Sequence, residues 1–145
     1  MKLQNLRILI VDDNANMRRL IHTILRSMNI KETMEAGSGA QALEILSTWQ
    51  PDLVLVDYVM EGMDGIEFTK KVRSTLDTDN KRLPIIVVTG YADLQRLHAA
   101  KEAGANDFVA KPFTTKTLMQ KIVRVMSNGL TLKEMMEAKQ AVPAG

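Results

Sequence analysis

The chain has 145 residues, a formal charge of +2, 46% hydrophobic and 25% charged residues, the usage of a single globular domain long enough to bury a core. It contains no cysteine, which excludes disulfides, zinc–thiolate sites and thiol nucleophiles. Its basic residues fall in scattered pairs, Arg18-Arg19, Lys70-Lys71 and Lys81-Arg82, rather than in the stripe of a nucleic-acid reader, and no apolar run approaches the length of a membrane span.

Met1 to Asn5 leads directly into a first strand, Arg7 to Val11, so no signal peptide is expected. Asn14 then suits a helix N-cap. Met17, Leu20, Ile21, Ile24, Leu25 and Met28 follow at helical spacing, the strongest helix signal in the chain. A short strand is expected from Thr33 to Ala36. Ser38 to Gln41 has capping-box spacing and opens a second helix, ended by Trp49-Gln50-Pro51. Gly37-Ser38-Gly39 lacks the spacing of a phosphate loop and reads as a turn and cap.

Leu53-Val54-Leu55-Val56 is an unbroken apolar run that stops at Asp57, the pattern of a strand buried on both faces with an acid at its end. A loop follows, and Asp64 to Glu67 starts a third helix with Phe68, Val72 and Leu76 inward. Asp77 to Leu83 reads as a polar connection. Ile85 to Val88 is a further buried run, ending at Thr89. Asp93 to Ala103 is a fourth helix stopped by Gly104. Phe108 to Ala110 is a fifth strand, ending at Lys111-Pro112. Thr114 or Thr115 caps a fifth helix carrying Leu118, Ile122, Val125 and Met126. Asn128-Gly129 breaks it, and Leu130 to Lys139 is another amphipathic piece before a disordered end from Ala141 to Gly145.

Strands alternating with helices predict an α/β fold with a parallel sheet covered on both faces. Ligands of such sheets bind beyond the carboxyl ends of the strands. That edge would collect Asp12, Asp13, Asp57, Thr89 and Lys111. Three neighbouring carboxylates repel one another unless protonated or bridged by a cation. An all-oxygen set with few protein donors favours Mg2+. Asp57 kept ionised is a competent nucleophile towards phosphorus. Lys111 and Thr89 would oppose or hydrogen-bond the charge of the transition state. Lys111-Pro112 is a candidate cis peptide, because a tight turn must aim the lysine back across the edge.

The ordered set Asp12-Asp13, Asp57 to Gly65, Thr89-Gly90 and Lys111-Pro112-Phe113 resembles the receiver domain of two-component response regulators, over residues 5 to 127. The resemblance implies a doubly wound, flavodoxin-like (βα)5 fold with strand order 2-1-3-4-5. Residues 1–128 would be the receiver and 129–145 a short extension. By resemblance Asp13, Asp57 and the Val59 carbonyl bind Mg2+, and Asp12 does so through water. Asp57 would accept a phosphoryl group from a sensor histidine kinase or a histidine phosphotransfer protein. Thr89 and Phe108 would act as switch residues, changing how the fourth helix, fifth strand and fifth helix present themselves to a downstream target. The expected protein is a cytoplasmic monomer without nucleic-acid or membrane partners, and a signalling protein rather than an enzyme.

Three departures and three alternatives accompany this resemblance. Glu61 stands where many receivers have proline, which suggests a looser loop. Val59 and Tyr91 occupy positions that tune dephosphorylation in the family, and a valine cannot hold the attacking water, so the phosphoryl group should persist. Within the signalling reading, direct control of a target such as a flagellar switch and relay of phosphate to a histidine both remain open. An aspartate-nucleophile phosphohydrolase is disfavoured because its general acid would stand at Val59. A flavodoxin-like nucleotide or flavin binder is disfavoured by the acidic crevice. His22 and His98 read as surface or boundary residues without a ligand role.

Overall fold

A strand that is apolar at every position is stable only with both faces covered, and the chain meets that demand by placing helices on each side of one sheet. The computed structural model describes residues 2–75, 78–90 and 93–141. Strands β1 (Arg7–Val11), β2 (Glu32–Ala36), β3 (Leu53–Asp57), β4 (Ile85–Thr89) and β5 (Asp107–Ala110) form a sheet of order β2-β1-β3-β4-β5, every pair parallel. Helices α1 (Ala15–Ser27), α2 (Gly39–Leu46), α3 (Gly65–Arg73), α4 (Leu94–Ala103), α5 (Thr115–Asn128) and α6 (Leu132–Ala141) alternate with and follow the strands. This is the parallel sheet covered on both faces that the alternation predicts, in the doubly wound (βα)5 strand order that the resemblance implies. Among the described residues no helix is long and apolar enough to cross a membrane.

Strand alternation divides the core into two layers. Leu9, Val11, Val54, Val56, Ile85 and Val87 face α2, α3 and α4, where Ala42, Phe68, Val72 and Ala100 complete the packing. Ile8, Ile10, Leu53, Leu55, Ile86 and Val88 face α1 and α5, against Ile21, Leu25, Leu118 and Ile122. Each buried Leu or Ile contributes roughly 1.5–3 kcal/mol, so β3, buried throughout, is held hard from both sides.

Each strand-to-helix connection ends in a side-chain cap, and parallel pairing brings all five caps to the same edge. Asn14 accepts from the Met17 N–H at 3.1 Å, Ser38 from Gln41 at 3.1 Å, Asp64 from Glu67 at 2.8 Å, Asp93 from Arg96 at 2.8 Å and Thr114 from Thr117 at 3.0 Å. Each cap satisfies an otherwise orphaned helix donor and fixes where its loop turns.

Local details depart from the sequence reading. Gln41 does not close a capping box, because its Oε1 accepts from the Gly37 N–H at 2.7 Å. α2 ends at Leu46, and Trp49 folds back to stack with the Arg7 guanidinium, 4.7 Å from its ring centroid. The polar connection before β4 contains a helical turn, Thr78–Lys81. Leu76, Asp77 and residues 142–145 lie outside the described residues.

Candidate functional site

The sheet register assembles the site. Val11 pairs with Val56, so Asp12 follows β1 beside the point where Asp57 ends β3. Asp57 pairs with Val88, and Thr89 pairs with Ala110, so Thr89 and Lys111 close the other side. Carboxylate oxygens of Asp12, Asp13 and Asp57 all lie within 4.8 Å of one another. Lys111 Nζ is 3.0 Å from Asp57 Oδ1 and 3.7 Å from Asp12 Oδ2. The Lys111 N–H also donates to the Thr89 carbonyl at 2.7 Å, which fixes the start of the turn, and the Lys111-Pro112 peptide is cis.

The charges do not balance. Asp12 is 2% exposed and Asp57 8%, and three carboxylates face one ammonium. Burial raises the Asp57 pKa above its ordinary value, and the charges of Asp12 and Asp13 raise it further, while the hydrogen bond and charge of Lys111 oppose them. Among the described residues Asp12 Oδ2 is buried without a hydrogen-bond partner. A buried carboxylate oxygen in that state is costly unless a cation completes it. The residues present therefore fit a hard divalent cation held by oxygens.

The site rests on residues that periodicity does not reveal. Arg18 Nη1 donates to the Asp12 carbonyl at 2.6 Å while its Nε reaches Glu35 at 3.1 Å, bracing the β1–α1 turn. Asp12 Oδ1 accepts from the Asn14 N–H at 2.9 Å. Glu61 corrects the expectation of a looser loop, because its N–H donates to Asp13 Oδ2 at 2.9 Å, a bond that proline could not make. A Cβ on Gly65 would run into the Asp57 carbonyl oxygen, so only glycine lets α3 start this close to β3. None of these carried a signal in one sequence beyond the residue type.

The remaining predicted residues are placed as follows. Thr89 is buried at the end of β4. The Val59 side chain lies open to solvent, the residue being 57% exposed two positions after Asp57. Phe108 is buried in the layer under α4 and also lines an open cleft with Pro112, Phe113, Thr117 and Lys121. His22 Nδ1 hydrogen-bonds Thr33 Oγ1 at 2.9 Å, away from the acids. Tyr91 lies outside the described residues.

The model of the Response regulator receiver domain family matches residues 8–123. The chain belongs to this family. Chemotaxis protein CheY-3 of Vibrio cholerae is 38% identical to this receiver over 122 residues, 84% of this chain and 92% of the relative. Chemotaxis protein CheY of Pseudomonas aeruginosa is 39% identical over 120 residues, 83% and 95% of the two chains. The solved structure of the Vibrio cholerae chemotaxis protein CheY4 superposes with a TM-score of 0.76 at 29% identity, covering 83% of this chain and 98% of the other. The receiver domain of a sensor histidine kinase from Pseudomonas aeruginosa, with a magnesium ion coordinated in its active site cleft, superposes with a TM-score of 0.76 at 28% identity, covering 85% and 98%. This receiver is thus of the CheY-like response-regulator kind.

Proposed function

We propose that this receiver is a phosphoacceptor signalling domain in which Asp57 takes a phosphoryl group from a phosphohistidine on a sensor kinase or phosphotransfer protein. The observation that carries the reading is one buried carboxylate, Asp57, set between two further acids and one ammonium at 3.0 Å. In the transfer an Asp57 oxygen bonds to phosphorus, the phosphorus–nitrogen bond of the donor breaks, and the leaving imidazole retains that bond's electron pair and takes up a proton.

Asp13, Asp57 and the Val59 carbonyl would hold Mg2+, with Asp12 reaching it through water. When bound, Mg2+ supplies positive charge that lets the acids stay ionised beside an incoming phosphoryl group. Lys111 then meets the charge on the transferred oxygens as a compact point charge on a flexible stem. Thr89, at the edge of β4, offers a hydroxyl to the same group. Thr89 and Phe108 bias the surface formed by α4, β5 and α5 towards one of two states, and a downstream target reads that surface. Residues 1–128 form the receiver in this reading and 129–145 an extension.

The reading favours a signalling role over turnover. An apolar, solvent-facing Val59 offers no acid or base to an attacking water, so the phosphoryl group persists. Intact mass after incubation with Mg2+ and acetyl phosphate tests the reading. One phosphoryl adduct is expected on the wild type and none on Asp57→Ala, and an adduct of equal yield on both overturns it.

A further inference from the structure

Helix α6 lies beyond residues 8–123, the part that the family match covers, yet its first turn is fastened to the domain. The Leu132 N–H donates to the Ala105 carbonyl at 2.8 Å, and Asn106 Nδ2 donates to the carbonyls of Leu130 and Gly129 at 3.1 and 3.4 Å. Arg82 pairs with Glu134 at 3.1 Å. Thr131 and Glu134 cap each other at 3.0 and 3.1 Å. Leu132 packs on the core layer under α4.

Past that turn the hold changes character. Met135 Sδ touches the Arg124 guanidinium of α5. Met136 shares a shallow cleft of about 310 Å³ with Leu94, Leu97, His98 and Lys101 of α4. Within the first turn, the pairs Lys133–Glu102 at 3.6 Å and Arg82–Glu134 both join exposed side chains, a kind of contact that contributes little, so the firm hold there comes from the Leu132 N–H and the Asn106 amide. Met136 is 39% exposed and Leu94 84%, so the cleft is half closed. α6 thus lies against both α4 and α5, firmly at its base and lightly further along.

One element joins this contact to the acidic site. At the start of α4 the Arg96 guanidinium pairs with Asp93 at 2.8 Å and lies 5.5 Å from the ring centroid of Tyr58, the residue after Asp57. Leu97 is the next residue and Lys101 follows one turn on, and both line the cleft that Met136 shares. New anionic charge at Asp57 attracts the Arg96 cation, which lies against the ring of the neighbouring Tyr58, and a shift of α4 acts on the cleft that it shares with Met136.

We propose that α6 is a built-in occupant of the α4 side of the surface formed by α4, β5 and α5, anchored at its first turn and released at its far end when Asp57 is phosphorylated. The inference rests on the phosphoacceptor reading. In the resting chain Met135 and Met136 stand where a target would dock, and a partner must wait for α6 to lift. Contacts that are weak and mostly exposed suit such a switch, because a modest change in α4 shifts the balance.

Hydrogen exchange on the full chain, with intact mass taken on the same sample, tests it. After Mg2+ and acetyl phosphate, amides of residues 135–140 should exchange about tenfold or more faster in the adducted protein, while the Leu132 amide keeps its rate. Met136→Glu, which places a charge in the apolar cleft, should give the same acceleration without a donor. An adduct with unchanged exchange at 135–140, or Met136→Glu without acceleration, overturns the inference and leaves the phosphoacceptor reading standing. No adduct on the wild type overturns that reading and removes the trigger with it.

Discussion

Lys111 Nζ lies 3.0 Å from Asp57 Oδ1 and 3.7 Å from Asp12 Oδ2, so a single ammonium from the end of β5 serves acids from the ends of β3 and β1. It is the only cation paired with these acids among the described residues. Lys111→Met keeps the stem and removes the charge. The rate of adduct formation from acetyl phosphate should fall about a hundredfold, the size of losing one stabilising donor to a developing anion. A time course by intact mass measures it, and an unchanged rate would remove Lys111 from the transfer step.

The pH dependence of stability follows from Asp57. Burial, reinforced by Asp12 and Asp13, holds its pKa above the ordinary 3.8, and Lys111 does not cancel the effect. The folded chain therefore binds that proton more tightly than the unfolded chain. The stabilisation is full below 3.8 and is lost as pH rises through the raised value. At neutral pH, with divalent ions chelated, the ionised carboxylate opposes folding. Asp57→Asn should then melt above the wild type, with the gap shrinking on acidification towards 3.8. A variant that melts lower at neutral pH contradicts the charge balance described here.

Gly65 tests how closely α3 must approach β3. A methyl there meets the Asp57 carbonyl oxygen, and backbone on both sides has little room to yield. Gly65→Ala should cost about 1–3 kcal/mol in urea unfolding and should slow phosphorylation by shifting the end of β3. Full stability together with a wild-type rate would show that the turn relaxes without cost.

In the proposed reading Val59 sets how long the phosphoryl group persists. Its exposed, apolar side chain stands two residues after Asp57 and carries no group that could orient water. Val59→Asn supplies an amide at that place and should speed loss of the phosphoryl group by about tenfold, followed by intact mass after the donor is removed. A lifetime longer than that of the wild type would argue that Val59 does not control water access.

The sheet was legible because its signal is local. The runs Leu53 to Val56 and Ile85 to Val88, each ending in a candidate site residue, report burial on both faces without any knowledge of their neighbours. The three acids and Lys111 were legible because parallel strands send all their ends to one edge. The contacts of Arg18 with the Asp12 carbonyl, of the Glu61 N–H with Asp13 and of Arg96 with Tyr58 were not legible. Each links a side chain or amide to a group on another element, and periodicity says nothing about such pairs. The same holds for α6, whose amphipathic pattern was visible but whose docking depends on backbone carbonyls at Ala105, Gly129 and Leu130.

The central claim is that Asp57 is the phosphoacceptor, and site mapping tests it most directly. Borohydride reduces an aspartyl phosphate to homoserine, which tandem mass spectrometry of the peptides spanning Leu53 to Gly65 and Ile8 to Arg18 can place. After Mg2+ and acetyl phosphate, homoserine should appear at position 57 and at neither Asp12 nor Asp13, and a chelator should abolish it. Homoserine at another carboxylate, or an equal yield without divalent metal, would contradict the account.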